Sequence, residues 1–427
     1  MSGWAKPQPL FNPVTAPADL PLTPAELLAS PIGLLLFLPL TPLLRLAARR
    51  WPRAALLVGG LIWVVATAGP RTTAVLLAGL VLMSAWVLGL GRLRRRQRVS
   101  AGTMVALVWL GLCGLIAPLW WISQWDWYGW TGSRLPPLHH VGFAYFLLRF
   151  IAWGVDLARN PDDRLRPVET LCWLLYPPCM RLGPVLLRRD FLARFDAWDP
   201  RAGVPWRDVS RRLGLCTLGG FGLALVAANL PRIPAGAADF FASPGAYSTG
   251  ALLRVLYLLP LQIYLMLWTY NELAAGLSRW VGIRVDDNFD WLPRAASVRS
   301  FWQRWHVTVG AWLREYIYIP LGGNRGLGGR PGLVPLNYAA VFGFCAAWHG
   351  PSWSFVAWGA SQTLALIVQR AWDRAWKRAG RRPPAGRAWT LFCWLLTMNY
   401  QAATILMFAD FEHLGLRVFA ELARRVT

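Results

Sequence analysis

Few residues in this chain can do chemistry, and most lie in two short stretches. The first is "FWQRWHVTVGAWLREYIYIPLGGNR", Phe301–Arg325. It places His306 among Gln303, Arg304 and Glu315, with Asn324 and Arg325 behind a Gly-Gly pair. The second is "CAAWHGPSW", where His349 follows Trp348 at the end of an apolar run and Gly350-Pro351 comes next. A buried imidazole costs free energy unless it is hydrogen-bonded. A neutral imidazole able to take up a proton is also what general-base catalysis requires. On physical grounds His349 is therefore either a satisfied core histidine or a base.

The spacing predicts a helix over 301–319, with Trp302, Trp305, Val309, Trp312 and Tyr316 on one face. His306 then lies beside Gln303 and Gly310, and Arg304, Thr308 and Glu315 occupy another face. Pro320 and Gly322-Gly323 end the helix. Charged and ionisable residues within a membrane segment mark a functional site by default. An interfacial amphipathic helix anchored by aromatics explains the same pattern. His349 is predicted in the last turn of a helix stopped by Gly-Pro. His139 and His140, in a Pro-flanked loop, are expected to be solvated, and His413 to be structural or interfacial. The glycine-rich "GGNRGLGGRPG" lacks the strand-to-helix context of a nucleotide-cradling loop.

These stretches must be positioned by a membrane domain. Of 427 residues, 56% are hydrophobic and 15% charged, and the mean hydropathy is +0.36, values outside the range of ordinary soluble domains. Ten segments approach or reach spanning length: 32–44, 54–68, 72–90, 102–121, 141–157, 213–230, 251–268, 334–348, 352–368 and 388–409. The expected fold class is all-α, a polytopic membrane helix bundle with re-entrant segments around a central cavity. A single domain of about ten spanning helices is expected over 31–427, preceded by an irregular or interfacial segment over 1–30. That segment is Pro-punctuated and lacks the pattern of a secretory signal. The six cysteines lack paired metal-ligand spacing and read as small buried hydrophobes.

The net charge of +23 is carried almost wholly by arginine, since Lys6 and Lys377 are the only lysines. A nucleic-acid protein would gather this charge on one solvated face. Here it falls in short loops, around 45–53 and 92–98, whereas "SQWDWYGWTG" has no basic residue. The positive-inside rule puts these basic loops in the cytoplasm and the N-terminus outside. The basic loops at 159–166 and 188–212 agree only if "ETLCWLLYPPCMRLGPVLL" is re-entrant and returns to its starting side. Such backbone needs protein or water around it. The loops at 279–299 and 370–387 come out inside if 301–320 is likewise re-entrant or partly inserted. The arginines can attract anionic lipid headgroups or an anionic cytosolic ligand.

The segment from "DDNFDWLPRAASVRSFWQRWHVTVGAWLREYIYIPLGGNR" to "FCAAWHGPSWSFVAWG" resembles the membrane-bound O-acyltransferase (MBOAT) family. The similarity is to its bacterial branch, with the alginate O-acetylation and teichoic-acid D-alanylation membrane proteins. Weaker similarity in "HHVGFAYFLLRFIAWGVDLARN", "LLYPPCMRLGPVLLRRDFL" and "LQIYLMLWTYNELAAGLSRWVGIRVDDNF" extends it over roughly 138–410. The resemblance implies a tunnel through the membrane, with an acyl thioester donor (acetyl-CoA or an acyl carrier protein) entering from the cytoplasm and a hydroxyl acceptor from the other side. It makes His349 the catalytic histidine and His306 the second active-site histidine. Arg304, Asn324, Arg325, Gln303, Glu315 and Trp348 are candidate substrate-binding residues. No permanently bound cofactor, metal or nucleic acid is implied.

The expected protein is a bacterial inner-membrane enzyme that acylates an extracytoplasmic polysaccharide or envelope polymer in contact with membrane lipids. Two other readings remain: an acyl shuttle serving an extracytoplasmic transferase partner, and a non-catalytic transporter or scaffold. Met266–Glu272, "MLWTYNE", departs from the branch's small, acidic stretch, which implies a changed pocket lining or partner surface.

The charge pattern generates a test of topology. Single cysteines at Gly3, Gly129 and Gln97, treated with an impermeant thiol reagent on intact cells, should label at Gly3 and Gly129 and not at Gln97. Labelling at Gln97 without labelling at Gly129 would invert the assignment.

Overall fold

The computed structural model describes residues 31–116, 142–163, 165–230, 237–350, 352–382, 384–410 and 415–426. Among these the regular structure is helical and contains no strand. In chain order the α-helices are α1 (Phe37–Ala48), α2 (Pro52–Arg95), α3 (Ala101–Gly111), α4 (Phe143–Arg159), α5 (Pro167–Leu174), α6 (Arg188–Asp196), α7 (Trp206–Asn229), α8 (Ala237–Ala242), α9 (Thr249–Val281), α10 (Val298–Trp302), α11 (Val307–Leu313), α12 (Val334–His349), α13 (Trp353–Arg378), α14 (Arg387–Ala409) and α15 (Leu416–Val426). Five described stretches are long and apolar enough to cross a membrane: α2, α7, α9, 331–349 (which contains α12) and α14. The chain is an all-α polytopic membrane protein. His139, His140, His413 and the "SQWDWYGWTG" loop lie outside the described residues.

The described residues fall into two compact units, 31–220 with 267–287, and 221–266 with 288–426. In the first, the apolar segments 54–68 and 72–90 form one element, α2, broken only at Gly69 (φ 75°, ψ 166°) ahead of Pro70. A straight helix of 44 residues would be about 66 Å long. Instead both ends of α2 meet one charged layer. Arg53 pairs with Glu169 at 2.8 Å, and Arg94 donates to the Ala158 carbonyl at 3.3 Å. Arg189 pairs with Asp156 at 3.2 Å, and its neighbour Arg188 with Asp163 at 2.5 Å. The chain therefore turns back at Gly69.

The same layer closes the Pro-rich segment. Arg188, at its end, donates to Thr170 Oγ1 at 2.9 Å and to the Leu165 carbonyl at 3.0 Å, at its beginning. Between them the backbone leaves the helix after α5, makes a tight turn at Pro177–Cys179 and runs extended to Leu187, with nearly every residue buried. The carbonyls this exposes need partners. The wholly buried Arg149 of α4 donates to Trp173 O and, at 3.4 Å, to Leu174 O, with its guanidinium over the Trp173 ring. Trp173 Nε1 reaches Leu186 O at 2.8 Å. The two ends of the segment are thus tied together through Arg188.

The loops at 188–212 and 279–287 are joined as well. Arg212 holds Glu272 through both carboxylate oxygens (3.0 and 2.9 Å) and also pairs with Asp287. Arg279 pairs with Asp208 and Asp287, and Arg194 with Asp286. The Arg166 fork on Asp196, at 2.7 Å on both arms, keeps that carboxyl below the usual carboxylate range. Glu272 and Asn271 belong to the divergent "MLWTYNE" stretch. Glu272 belongs to this ion network, and Asn271 Nδ2 donates to Leu182 O at 3.1 Å. Both changes thus serve internal ties of this unit.

Close helix packing against the Pro-rich segment is permitted by Gly60, where a Cβ would lie 2.2 Å from the Leu175 carbonyl oxygen. Gly60→Val should therefore lower the thermal unfolding midpoint in detergent, by the equivalent of about 1–3 kcal/mol or more for overpacking. Gly89→Val, at a site with open space, should leave it within error.

Candidate active site

The second unit holds both histidines. Here the single helix expected over 301–319 is interrupted. α10 ends at Trp302, and His306 takes a left-handed conformation (φ 47°, ψ 52°) before α11 begins. After Leu313 the chain widens into a π-turn over Arg314–Tyr318. A left-handed conformation is uncommon for a residue with a side chain and needs support from its surroundings. Support comes from Asn288, whose backbone oxygen accepts from Val307 N at 2.9 Å. Its side-chain Oδ1 accepts from Thr308 N at 3.1 Å and from Thr308 Oγ1 at 2.7 Å. The first amides of a helix lack partners within it, and Asn288 satisfies two of those of α11 from outside. Its Nδ2 lies 3.1 Å from His306 Nδ1.

The His306 ring is flanked by Phe289, with centroids 5.2 Å apart, and by Trp305 at 5.7 Å. Gly310 does not make room for the imidazole: a Cβ there would meet only the Trp302 carbonyl oxygen, at 3.7 Å.

His349 closes α12, as its Gly-Pro context predicts. Gly350 follows at φ 143° with its amide bonded back to Ala346 O at 3.2 Å. Four aromatic rings hold the half-buried imidazole: Phe408 at 4.8 Å edge-on, Trp348 at 5.1 Å, and Phe355 and Trp358 each at 5.7 Å. Among the described residues neither ring nitrogen of His349 has a hydrogen-bond partner. The ring is thus fixed in orientation while its polar edges stay open, unlike a satisfied core histidine. His306 lies near enough for the charge of His349 to act on it.

An aromatic wall connects the two positions. Trp305 stacks on Phe301 at 5.6 Å, Phe301 meets Trp302 at 5.4 Å, and Trp302 meets Trp358 at 5.9 Å. Trp302 Nε1 donates to Gln362 Oε1 at 3.1 Å. Gln362 in turn exchanges amide hydrogen bonds of 3.3 Å with Gln401 and donates to Thr404 at 3.1 Å. These buried amides pin α13 to α14 behind the histidines.

A model of the membrane-bound O-acyltransferase family matches residues 97–409. The chain belongs to this family. Among the relatives of this MBOAT protein is a peptidoglycan O-acetyltransferase of Helicobacter pylori, 29% identical over 299 residues, covering 63% of this chain and 54% of the relative. A probable alginate O-acetylase of Azotobacter vinelandii is 27% identical over 232 residues, with coverages of 54% and 44%. A teichoic acid D-alanyltransferase of Streptococcus thermophilus is 24% identical over 294 residues, with coverages of 64% and 69%. The MBOAT chain spans about half the length of the first two.

The other residues singled out in the sequence are dispersed. Trp348 contacts the His349 ring. Arg304 turns to Asp290, pairing with its carboxylate and donating to its backbone oxygen at 3.2 Å, while Asp290 N donates to Arg304 O at 3.1 Å. It therefore fastens the 288–290 strip to the turn before His306. Gln303 is exposed. Glu315 sits in the π-turn. Asn324 accepts from Tyr318 Oη at 2.8 Å, and Arg325 is exposed beside it. Asn288, Gln362 and Phe408 were not singled out by the sequence reading. The signals were faint: an Asn after two Asp in "DDNFD", and a Gln inside an apolar helix.

The Arg304–Asp290 tie predicts coupled losses. Arg304→Ala and Asp290→Ala should lower the unfolding midpoint by similar amounts, and the double variant by little more than either alone. A double-mutant cycle measures this, and fully additive losses would show that the pair does not act as a unit.

Proposed function

We propose that this protein transfers an acetyl or other short acyl group from a cytoplasmic thioester, acetyl-CoA or an acyl carrier protein, to a hydroxyl of an extracytoplasmic polysaccharide or other envelope polymer. The reading rests on one observation: the His349 imidazole is locked by four aromatic rings, and neither of its nitrogens has a hydrogen-bond partner among the described residues. The protein names of the relatives add the acceptor class, since peptidoglycan, alginate and teichoic acid are all polymers bearing acylated groups.

In this mechanism a ring nitrogen of His349 takes the proton of the acceptor hydroxyl as its oxygen attacks the thioester carbonyl carbon. The C–O bond forms, negative charge develops on the carbonyl oxygen, and His306 stabilises it. Collapse breaks the C–S bond, and the thiolate leaves with the proton held by His349. The aromatic wall excludes water that would hydrolyse the thioester. Exposed Arg325 and Asn324 are assigned to the anionic donor. The broken backbone at 303–306 is assigned to the lining of the path by which acyl donor and acceptor meet, in a protein of a bacterial inner membrane with the N-terminus outside the cytoplasm.

General-base catalysis contributes about 10²–10⁴-fold in rate. His349→Ala should lose that factor or more in transfer from acetyl-coenzyme A to an envelope glycan fragment, while inserting and purifying normally. His349→Gln keeps a hydrogen-bonding side chain and removes the base, and it should be nearly as inactive. Near-normal transfer by a folded His349→Gln protein would return His349 to a structural role. Transfer by the purified protein without a second protein would exclude an obligate relay.

A further inference from the structure

The Asn288 contacts carry information about a proton. Thr308 N is a backbone amide and can only donate, so the Asn288 atom 3.1 Å from it is the amide oxygen. The Thr308 hydroxyl, 2.7 Å from the same oxygen, donates to it as well. The Asn288 amide orientation is therefore fixed, and the atom facing His306 Nδ1 at 3.1 Å is the NH₂ group. An NH₂ group has only hydrogens to offer, so Nδ1 must present its lone pair. A neutral imidazole with a lone pair on Nδ1 carries its hydrogen on Nε2.

We propose that Asn288 is a positioning residue that holds neutral His306 as its Nε2–H tautomer, making the ring a hydrogen-bond donor to the reacting thioester carbonyl. The tautomer follows from the contacts alone, and its catalytic use rests on the acyl-transfer reading above. The inference divides the work of the two histidines. His349, whose nitrogens have no hydrogen-bond partner among the described residues, can accept the acceptor proton. His306, with Nδ1 occupied by an NH₂ donor, cannot act as a base through that nitrogen and points an N–H from the other. The left-handed backbone at 306 belongs to the same device. Asn288 fixes the amides of residues 307 and 308 and the ring of 306 together, so the direction of the Nε2–H is set by the start of α11. A donor aimed in advance at a developing oxyanion is worth most when it does not reorganise during reaction.

The surroundings of the ring contain no competing carboxylate among the described contacts. Phe289 and Trp305 flank it, the titratable group that acts on it is His349 on α12, and the charges of Arg304 and Asp290 are engaged with each other.

Asn288→Asp is the decisive variant. A carboxylate still accepts from Thr308 and so keeps the cap of α11, but it also accepts from His306, pulling the neutral ring's proton to Nδ1. Only the doubly protonated ring then retains an Nε2–H. The full-length protein, labelled with ¹⁵N-histidine in lipid bilayers, gives a direct readout by nitrogen NMR, with the His306 signals assigned by their loss in His306→Gln. Wild type should show Nδ1 unprotonated and Nε2 protonated, and Asn288→Asp at high pH the reverse.

Thiol release from acetyl-coenzyme A should fall about 10²–10³-fold in kcat for Asn288→Asp at high pH, the usual cost of one oxyanion donor. The donor KM should change little, and the loss relative to wild type at the same pH should shrink as pH falls and the His306 ring becomes doubly protonated. A purely structural role for Asn288 would give a loss without that pH-dependent recovery.

A protonated Nδ1 in wild-type His306, or an Asn288→Asp protein with wild-type kcat across the pH range, would overturn the proposal. Failure of the acyl-transfer reading shows separately, as wild-type protein that releases no thiol, and leaves the nitrogen signals to decide the tautomer.

Discussion

The structure depends on one constraint: backbone that leaves a helix inside an apolar bundle must find partners for its amides and carbonyls. Three breaks in this chain are met by side chains carried from elsewhere. Arg149 covers the carbonyls at the end of α5. Tyr176, inside the Pro-rich segment, reaches the Ile283 carbonyl at 2.7 Å. Asn288 takes up the opening amides of α11. The breaks are the places where the fold departs from a plain bundle, and one of them presents His306. The helices supply length and apolar surface, whereas the partners of the breaks supply shape.

Arginine is suited to this work in a way that lysine is not. Its fork can hold a carboxylate with two nitrogens or divide them between carboxylate and carbonyl. Arg188 does the latter, engaging Asp163, Thr170 and Leu165 O at once. Arg212 holds Glu272 with one terminal nitrogen and Asp287 with the other. The arginine bias of the sequence therefore reflects structural joints as well as membrane orientation. The histidine unit sets an uncharged joint, the reciprocal amides of Gln362 and Gln401, beside the charged Arg304–Asp290 tie.

Much of this was legible in the sequence, for identifiable reasons. Apolar runs and Arg-rich loops mark helices and their ends because both effects act over neighbouring residues. His349 at a helix stop was legible because Gly350-Pro351 is a local signal. The break in the 169–187 segment was legible through its prolines. The break at His306 was not, since the residue that caps α11 lies 18 positions upstream and helical periodicity continues unbroken through 302–316. The Arg304–Asp290 pair was not legible for the same reason: Asp290 belongs to a loop whose path no periodicity reveals. The aromatic cage of His349 joins residues from α12, α13 and α14, which only the packed structure brings together.

The turn of α2 at Gly69 bears on how the protein is made. Residues 52–95 leave one charged layer and come back to it, and the only formal charge between Arg53 and Arg92 is that of Arg71. Such a tract can enter the bilayer as a closed pair of helices in one step. A single guanidinium, that of Arg71, then lies between the two helices, and both strongly basic flanks end on the same side of the pair. A pair turned at glycine 69 thus does not require Arg92, Arg94, Arg95, Arg96 and Arg98 to end on the opposite side from Arg53, a separation that a straight tract would impose at the cost of carrying one basic cluster through hydrocarbon.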